Sequence, residues 1–269
     1  MDRTDLGDRM KSYERRYAGV RALPGLPVCA RIDGKRFSRF THGLARPYDE
    51  RLSRLMVEVT TQLVRDTSAC IGYTQSDEIT LVLWAKSERS SIYCDGRIQK
   101  LTSILASMAS VHFNRLLGDY IPEKAGQLAF FDCRVWELPS RAEAVNVLVW
   151  REMDASKNSI SMAARSVYSH KALDQKNGNE MQEMLWQKGI NWNDYPAFFK
   201  RGTYVRRRRV ERSFSAEELE RLPPQHEARR NPDLSVERTV VEAVELPRIT
   251  QIVNREAMVF DGAEPIVAN

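Results

Sequence analysis

The 269-residue sequence predicts an α+β fold, with a ferredoxin-like first half and a mostly helical second half. Three observations predict this. Some short segments alternate apolar and polar residues, as strands do, and others repeat apolar residues every three to four positions, as helices do. The order of these segments up to residue 137 is strand, helix, strand, strand, helix, strand, after an opening helix. Strands connected in this order (βαββαβ) form an antiparallel sheet with both helices on one face.

The first half of the chain contains the segments that give this order. An opening helix is predicted because Leu6, Met10, Tyr13 and Tyr17 share one helical face. Strands are then predicted at 28–33, 70–73, 79–84 and 127–136, with helices at 52–63 and 98–112. The second and third strands form a β-hairpin with Ser76 and Asp77 at its tip. In the resulting sheet, the end of the first strand meets this tip.

The second half, from residue 138, has a different pattern. Helices are predicted at 148–155, 159–173, 179–188 and 216–222, the last because Ser215 and Glu218 form a capping box. The segment 203–212 is strand-like but rich in arginine, and 223–233 has the proline and charge content of a loop. We therefore divide the chain into a first domain at 1–137 and a helical, arginine-rich region at 138–269.

The composition argues against several classes of protein. Hydrophobic residues make up 42% and charged residues 29%, and no apolar run approaches the ~20 residues of a membrane span. The four cysteines are too far apart for a zinc site, and the charged start lacks the apolar core of a secretory signal. A cytoplasmic protein without membrane contacts is therefore expected. The net charge of +5 is mildly basic and is compatible with a nucleic-acid partner.

Two aspartates end neighbouring strands of the predicted sheet. Asp33 follows the apolar residues of the first strand, and Asp77 lies at the hairpin tip. Alone, each is best explained as a turn residue, but two carboxylates at one sheet edge can hold a pair of Mg²⁺ ions for nucleotidyl transfer. Gly34 lets the backbone approach a ligand closely and can offer a carbonyl oxygen to a metal. Glu78 is a third carboxylate that either joins this site or faces away from it.

Clusters of positive charge supply candidate phosphate ligands. Arg97 and Lys100 share one face at a helix start, where a bound triphosphate would offset their unfavourable interaction with the helix dipole. An ordinary solvated face explains them equally well. The run from Arg206 to Arg209 is too basic for a purely structural strand and favours contact with a nucleic-acid backbone. The alternative is an edge strand whose charges prevent aggregation.

Ordered motifs along the chain resemble those of the tRNA(His) guanylyltransferase family. They are RIDGKRFSRF (31–40), IGYTQSDEI (71–79), RIQKLTSILAS (97–107), FDCRVWELP (131–139), LVWREMDASKNSI (148–160), GINWNDYP (189–196) and KRG (200–202). The resemblance implies a polymerase-like catalytic palm at 1–137 that adds nucleotides to tRNA 5′ ends in the 3′-to-5′ direction. In this family ATP activates the RNA 5′-phosphate, and the 3′-hydroxyl of GTP or another NTP then attacks it.

The resemblance also implies roles for particular residues. Asp33 and Asp77 would be catalytic and, with the Gly34 carbonyl, would bind two Mg²⁺ ions. The implied nucleotide-binding set is Asp33, Gly34, Lys35, Arg36, Phe37, Ser38, Arg46, Ser76, Arg97 and Lys100. The predicted RNA-binding set, all within 138–269, is Lys157, Asn158, Lys200, Arg206, Arg207, Arg208 and Arg209. Family members are typically tetramers, so a homo-oligomer is expected by resemblance.

One departure from the family pattern concerns the tRNA substrate. Eukaryotic members carry His-Ile-Asn-Asn where this chain reads Ser156-Lys157-Asn158-Ser159, a region associated with the histidine tRNA. The chain is therefore more similar to bacterial and archaeal members, which use template pairing to rebuild truncated tRNA 5′ ends. Two other functions are compatible with the residues: a palm-type nucleotide cyclase that acts on NTP alone, and a non-catalytic RNA-binding protein.

Overall fold

The computed structural model describes residues 4–86, 90–231 and 234–268, apart from the side chain of Arg209. Its strands are β1 (Val28–Gly34), β2 (Ile71–Gln75), β3 (Glu78–Leu83), β4 (Phe131–Glu137), β5 (Thr203–Ser213) and β6 (Ser235–Val244). They form one sheet in the order β4–β1–β3–β2–β5–β6, and every neighbouring pair is antiparallel. The predicted α+β class with an antiparallel sheet is confirmed.

Helices cover both faces of this sheet. Those of the described residues are α1 (Asp5–Ala18), α2 (Phe37–Phe40), α3 (Glu50–Thr67), α4 (Ile98–Tyr120), α5 (Arg141–Val167), α6 (Gly178–Gln187), α7 (Ala197–Arg201), α8 (Ala216–Arg221) and α9 (Glu227–Arg230). As predicted, α3 and α4 share one face, where they pack against Val28, Ala30 and Ile32 of β1. α5 packs against the opposite face, where Cys29 of β1 belongs to the same buried cluster as Leu148 of α5. Among the helices described here, none is long and apolar enough to span a membrane.

The prediction of two separate helices at 148–155 and 159–173 is wrong, because α5 is continuous. Two serines lie where the break was predicted, Ser156 between the two helices and Ser159 at the start of the second, and their hydroxyls bond to carbonyls of the helix itself. Ser156 Oγ donates to the backbone oxygen of Glu152 (3.1 Å), and Ser159 Oγ donates to the backbone oxygen of Ser156 (2.8 Å). A single long helix therefore lies along the sheet and carries side chains toward the end where the two aspartates lie.

Two strands of the second half extend the sheet beyond the four strands predicted in the first half. β5 confirms the arginine-rich strand predicted at 203–212, and it pairs with β2 from Thr74↔Thr203 to Ile71↔Arg206. β6 lies in the tail, where the sequence pattern predicts no strand, and it pairs with β5 from Tyr204 to Ser213. The second half therefore contributes strands as well as helices, and both halves share one sheet.

Candidate active site

Asp33 and Asp77 lie together at one end of the sheet, as the strand order predicts. Asp33 is the penultimate residue of β1, and the ladder pairs it with Glu78, the first residue of β3. Asp77 immediately precedes Glu78, and its backbone oxygen accepts a 3.2 Å hydrogen bond from Gly34 N. The hairpin turn is tight and holds Ser76 at a φ of 55°. Backbone pairing therefore fixes the positions from which both carboxylates project.

The absent side chain of Gly34 leaves a gap beside the Asp77 carboxylate. A Cβ at this position would lie 2.9 Å from Asp77 Oδ2 and 2.3 Å from the ring of Phe37. The Phe37 ring cannot easily move, because it packs against Phe40 and Phe113 in the core. Glycine is therefore required where the end of β1 approaches the hairpin turn.

The electrostatics of the two aspartates favour a bound cation. Burial raises the pKa of the Asp77 carboxyl and the charge of Asp33 adds to this, although a hydrogen bond from Ser76 Oγ to Asp77 Oδ1 (3.0 Å) opposes it. A divalent cation would relieve this repulsion, and carboxylate and carbonyl oxygens are ligands that Mg²⁺ prefers. The described residues contain no cluster of three or more His, Cys, Asp or Glu side chains arranged as metal ligands. Remaining ligands would come from water and phosphate oxygens, as is usual for Mg²⁺.

Glu78 belongs to an ion-pair cluster next to the two aspartates. Its carboxylate contacts the guanidinium groups of Arg31 on β1 and of Arg151 on α5. Arg151 is 4% exposed and also contacts Asp154 at 3.2 Å. Burial and the neighbouring charge of Arg31 lower the pKa of Arg151. Glu78 therefore neutralises two guanidinium groups and joins α5 to the sheet, which decides between its two predicted positions. Arg151 is not among the predicted site residues.

A cavity of about 330 Å³ opens beside the hairpin turn. Three residues of the predicted nucleotide-binding set line it, namely Ser38, Arg46 and Ser76. α5 adds Arg165 and Ser166, which the sequence analysis did not select. Arginine binds phosphate with two parallel donors and hydroxyl groups can donate to further oxygens, so this lining suits a triphosphate.

The loop that carries Arg46 is anchored to the start of α3. The buried carboxylate of Asp49 accepts hydrogen bonds from the backbone nitrogens of Ala45 (3.3 Å) and Arg51 (3.0 Å). A hydrogen bond from the Arg51 side chain holds the pKa of Asp49 below its usual range. The carboxylate therefore stays ionised, caps the helix and fixes one wall of the cavity.

The remaining residues of the first motif are divided between surface and core. Lys35 and Arg36 are exposed immediately after the two metal-binding candidates on β1. The side chain of Phe37 is only 4% exposed and packs against Phe113 and Phe131. This corrects the prediction for Phe37, because a buried ring cannot contact a nucleotide and only its backbone could do so.

Arg97 and Lys100 lie at the opposite end of the sheet from the aspartates. α4 begins beside the segment that precedes β1, where Ile98 N donates to the Val20 oxygen (3.0 Å). From there β1 continues for about 17 Å before it reaches Asp33. This corrects their predicted triphosphate role within a single chain, because neither side chain can span that distance.

The predicted RNA-binding residues are also divided. Lys157 and Asn158 are exposed on α5, and Arg207 is partly exposed on β5. Lys200 lies over the ring of Trp192 (5.6 Å) and donates to the backbone oxygen of Asn193. These residues keep surface that a nucleic acid could contact, and their RNA-binding role stays a prediction.

Arg206 is buried, which removes it from the predicted RNA-binding set. Its side chain is 2% exposed and donates to the backbone oxygens of Ala263 (2.5 Å) and Met258 (3.5 Å). It therefore holds the C-terminal segment against the sheet. Arg208 pairs with Glu242 (2.9 Å) and Glu264 (3.0 Å), and the side chain of Arg209 lies outside the described residues.

Comparison with known proteins agrees with this geometry. The family model for tRNAHis guanylyltransferase matches residues 7–139. A bacterial tRNA(His) guanylyltransferase-like protein, solved with ATP, is 39% identical, with a TM-score of 0.71 over 76% of this chain and 87% of its own. A structure of such a bacterial protein with GTP is 31% identical, with a TM-score of 0.70 over 92% of this chain and 94% of its own. The tRNA(His) guanylyltransferase of Saccharomyces cerevisiae is 29% identical over 69% of this chain and 84% of the yeast protein.

Proposed function

Because the chain belongs to the tRNA(His) guanylyltransferase family of nucleotidyltransferases, we propose that it adds nucleotides to tRNA 5′ ends in the 3′-to-5′ direction, guided by a template and dependent on Mg²⁺. The observation that carries this proposal is the pair Asp33 and Asp77 beside the cavity that Arg46 lines. ATP and GTP, which are bound in the two bacterial relatives, are the proposed substrates, together with other NTPs.

Asp33, Asp77 and the Gly34 carbonyl are the groups that would hold two Mg²⁺ ions. When bound, Mg²⁺ would lower the pKa of an attacking hydroxyl and neutralise charge on the reacting phosphate. The hydrogen bond from Gly34 N to the backbone oxygen of Asp77 joins the end of β1 to the hairpin turn and so fixes the separation of the two aspartates. The raised pKa of Asp77 is consistent with a site that is completed by a cation.

The cavity beside the hairpin turn is the proposed triphosphate site. Arg46 and Arg165 would donate to phosphate oxygens from two sides, and Ser38 and Ser76 would donate from their hydroxyl groups. Because Ser76 adjoins Asp77, a triphosphate bound here would have its reacting end close to the carboxylates. Positioning of this kind supplies much of the rate enhancement in phosphoryl-transfer reactions.

Two transfers complete the proposed reaction. The RNA 5′-phosphate attacks the α-phosphorus of ATP, which displaces pyrophosphate and leaves a 5′-adenylylated RNA. The 3′-hydroxyl of the incoming NTP then attacks the RNA phosphorus of this anhydride, which releases AMP and joins the nucleotide to the 5′ end. Lys35 and Arg36, exposed directly after Asp33 and Gly34, are proposed to contact the RNA 5′-phosphate.

The proposed substrate is a tRNA that lacks its first nucleotides. The stretch from Ser156 to Ser159 forms part of α5 and replaces the eukaryotic His-Ile-Asn-Asn sequence, which argues against obligate guanylylation of tRNA(His). Template pairing would then select the added base. We also propose a homo-oligomer, because Arg97 and Lys100 are too distant to serve the site of their own chain.

The test is extension of two 5′-monophosphorylated tRNAs by the purified protein with Mg²⁺, ATP and all four NTPs. One tRNA lacks its first nucleotide, and the other is tRNA(His) without the additional guanosine. We expect only the truncated tRNA to gain the base complementary to its template. Guanosine added to tRNA(His) alone would contradict templated repair, and a cyclic nucleotide formed without RNA would contradict the proposal as a whole.

Variants of the two aspartates provide the control for the metal assignment. Asp33→Asn and Asp77→Asn should each abolish extension while the protein remains folded. Asp5→Asn, on the exposed surface of α1, is the matched control and should keep full activity. Normal turnover of either site variant would refute the assignment of the carboxylates.

A further inference from the structure

An exposed aromatic side chain lies beside the candidate active site. Phe130 is 59% exposed and immediately precedes β4. Its backbone oxygen accepts a 2.8 Å hydrogen bond from Lys35 N, which joins it to the turn that follows Asp33 and Gly34. A single exposed apolar side chain is common on protein surfaces. Phe130 differs from such side chains because its backbone is held in place beside Asp33 and Gly34.

The backbone around Phe130 is fixed on both sides. Asn114 of α4 makes two hydrogen bonds to Ala129, from Nδ2 to the Ala129 oxygen (2.8 Å) and from Ala129 N to Oδ1 (2.9 Å). Phe131 N donates to Ser110 Oγ (3.1 Å), and the side chains of Ala129 and Phe131 are both buried. The ring of Phe130 therefore cannot turn into the core without breaking these bonds. A ring on a fixed backbone loses less entropy when a ligand covers it than a ring on a mobile loop would.

The strand register places Phe130 on the same face of the sheet as Asp33. The ladder between β1 and β4 pairs Asp33 with Asp132 and Arg31 with Arg134. Side chains alternate along a strand, so Phe130, Asp132 and Arg134 follow one another on this face. We refer to these three residues as the β4 strip. Asp132 and Arg134 are both exposed.

The β4 strip and the triphosphate cavity flank the aspartates on different sides. β4 is an edge strand next to β1, whereas Ser76, in the cavity wall, lies in the turn between β2 and β3. A nucleotide in the cavity would therefore leave Phe130 uncovered. A transfer between two reactants needs the second reactant to approach the carboxylates from another direction.

The chemistry of this second flank matches single-stranded RNA. Nucleobases stack on aromatic rings irrespective of sequence, and basic side chains hold the adjoining phosphates. Phe130 supplies the ring, and the exposed Lys35, Arg36 and Arg134 supply three positive charges against the negative charges of Asp132 and of Asp33, its partner in the ladder. Leu128, two residues earlier, is also exposed (67%), but the cations around the ring favour RNA over an apolar partner.

We infer that Phe130 stacks on an unpaired nucleobase at the acceptor end of the RNA substrate and holds this end beside Asp33. The identity of the RNA rests on the proposed function, whereas stacking on Phe130 is a separate property that binding measures without turnover. Phe130 acts as a positioning residue. Its removal should affect the RNA and leave the NTP site unchanged.

The experiment compares Phe130→Ala and Phe130→Trp with the unaltered protein. The ligand is a 5′-monophosphorylated acceptor-stem minihelix that lacks its first nucleotide, and its affinity is measured by fluorescence anisotropy. Phe130→Ala should weaken binding by about 5- to 150-fold, since one base stack contributes that much, and Phe130→Trp should bind within about threefold of the parent. Val111→Ala is the matched control, because Val111 is 63% exposed on α4; it should bind normally.

A spectroscopic signal tests the stack directly. 2-Aminopurine, placed at the unpaired template base or in the single-stranded 3′ end, loses fluorescence when it stacks. At least one of the two positions should be quenched by the parent and not by Phe130→Ala. Asp77→Asn should still bind and quench although it lacks turnover. Failure of the proposed function would thus be seen as absent extension, without any change in the stacking signal.

Three outcomes would overturn the inference. Unchanged RNA affinity of Phe130→Ala would exclude stacking. A raised KM for NTP with unchanged RNA affinity would assign the ring to the nucleotide. A change of oligomeric state in Phe130→Ala would assign it to an interface between copies of the chain. Thermal unfolding checks that the variants fold, as expected for a side chain that is mostly exposed.

Discussion

Replacing Glu78 by glutamine is expected to destabilise the fold. The Glu78 side chain is 19% exposed and lies between the guanidinium groups of Arg31 (20%) and Arg151 (4%). Without its charge, these two cations would face each other, and each would keep one weaker partner. These partners are Asp33, 3.8 Å from Arg31, and Asp154, 3.2 Å from Arg151.

The expected loss follows from this geometry. Removing one partner of a buried ion pair costs about 3–5 kcal/mol of unfolding free energy. Because Glu78 and Arg31 retain some contact with water and both arginines keep a second carboxylate, we expect about 2–3 kcal/mol. For a chain of this length, that corresponds to a Tm lower by about 4–6 °C.

Urea unfolding of a double-mutant cycle with Arg151→Met measures this loss. The double variant should be less destabilised than the sum of the two single variants, with a coupling energy of about 1–3 kcal/mol. Glu50→Gln is the matched control, because Glu50 pairs with Arg54 (2.6 Å) on the exposed side of α3; it should lose about 0.5 kcal/mol or less.

A different outcome would refute the ion-pair assignment of Glu78. If Glu78→Gln has an unchanged urea midpoint but needs several-fold more Mg²⁺ for half-maximal activity, then Glu78 is a metal ligand. Equal losses in the double variant and in the sum of the single variants would show that Glu78 and Arg151 do not stabilise each other.

Three further predictions concern other residues of the site and the sheet. The pKa of Asp77 is raised in the folded state, so ionisation of this carboxyl destabilises the fold at every pH above its unfolded pKa. Without divalent cations, Asp77→Asn should therefore be more stable than the parent at neutral pH and equal to it below about pH 4. Thermal unfolding against pH measures this, and Mg²⁺ should stabilise the parent more than the variant. Arg165→Ala should raise the KM for NTP about 10-fold or more with unchanged RNA affinity in steady-state kinetics and binding assays. Arg206→Met should lower the unfolding free energy in urea by about 2–3 kcal/mol and leave the salt dependence of RNA binding unchanged, because this guanidinium is buried.

The parts of the site that were predictable follow from local patterns and their order. Alternation over 28–33 gives a strand that ends at Asp33, and two apolar runs with a polar turn give a hairpin with Asp77 at its tip. Once four strands and two helices follow one another in βαββαβ order, the sheet brings these two ends together. No long-range information is needed, so the meeting of the aspartates could be predicted.

Buried charges were not predictable in the same way. Arg206 stands in a run of arginines that predicts a basic surface, but its guanidinium binds backbone oxygens of Met258 and Ala263, more than 50 residues later. Arg151, in contrast, is marked by its position in the helical pattern. It follows Leu148 by three positions and precedes Ala155 by four, so it occupies a buried position of the helical stripe on α5. A charged residue at such a position requires a buried partner, and Glu78 is that partner.

The tail strand was missed for a different reason. β6 is an edge strand whose positions are all exposed or partly buried, but its β-branched residues are typical of a strand: Val236, Thr239, Val240, Val241 and Val244. Its stability comes from pairing with β5 along ten positions. The residue types of this segment therefore indicate a strand, and only its partner in the sheet is not predictable from the local sequence.

The position of Arg97 and Lys100 could have been deduced from chain direction. β3 begins at Glu78, beside the aspartates, and runs away from them, so the helix that follows β3 must begin at the far end of the sheet. Helix polarity then returns the chain to the site at the end of α4, where Asn114 and Ser110 hold the segment before β4. The N-terminus of α4 is therefore excluded from the site of its own chain, whereas its C-terminal half fixes Phe130 beside Asp33. The same topology that separates Arg97 and Lys100 from the aspartates thus explains why the exposed ring of Phe130 lies next to them.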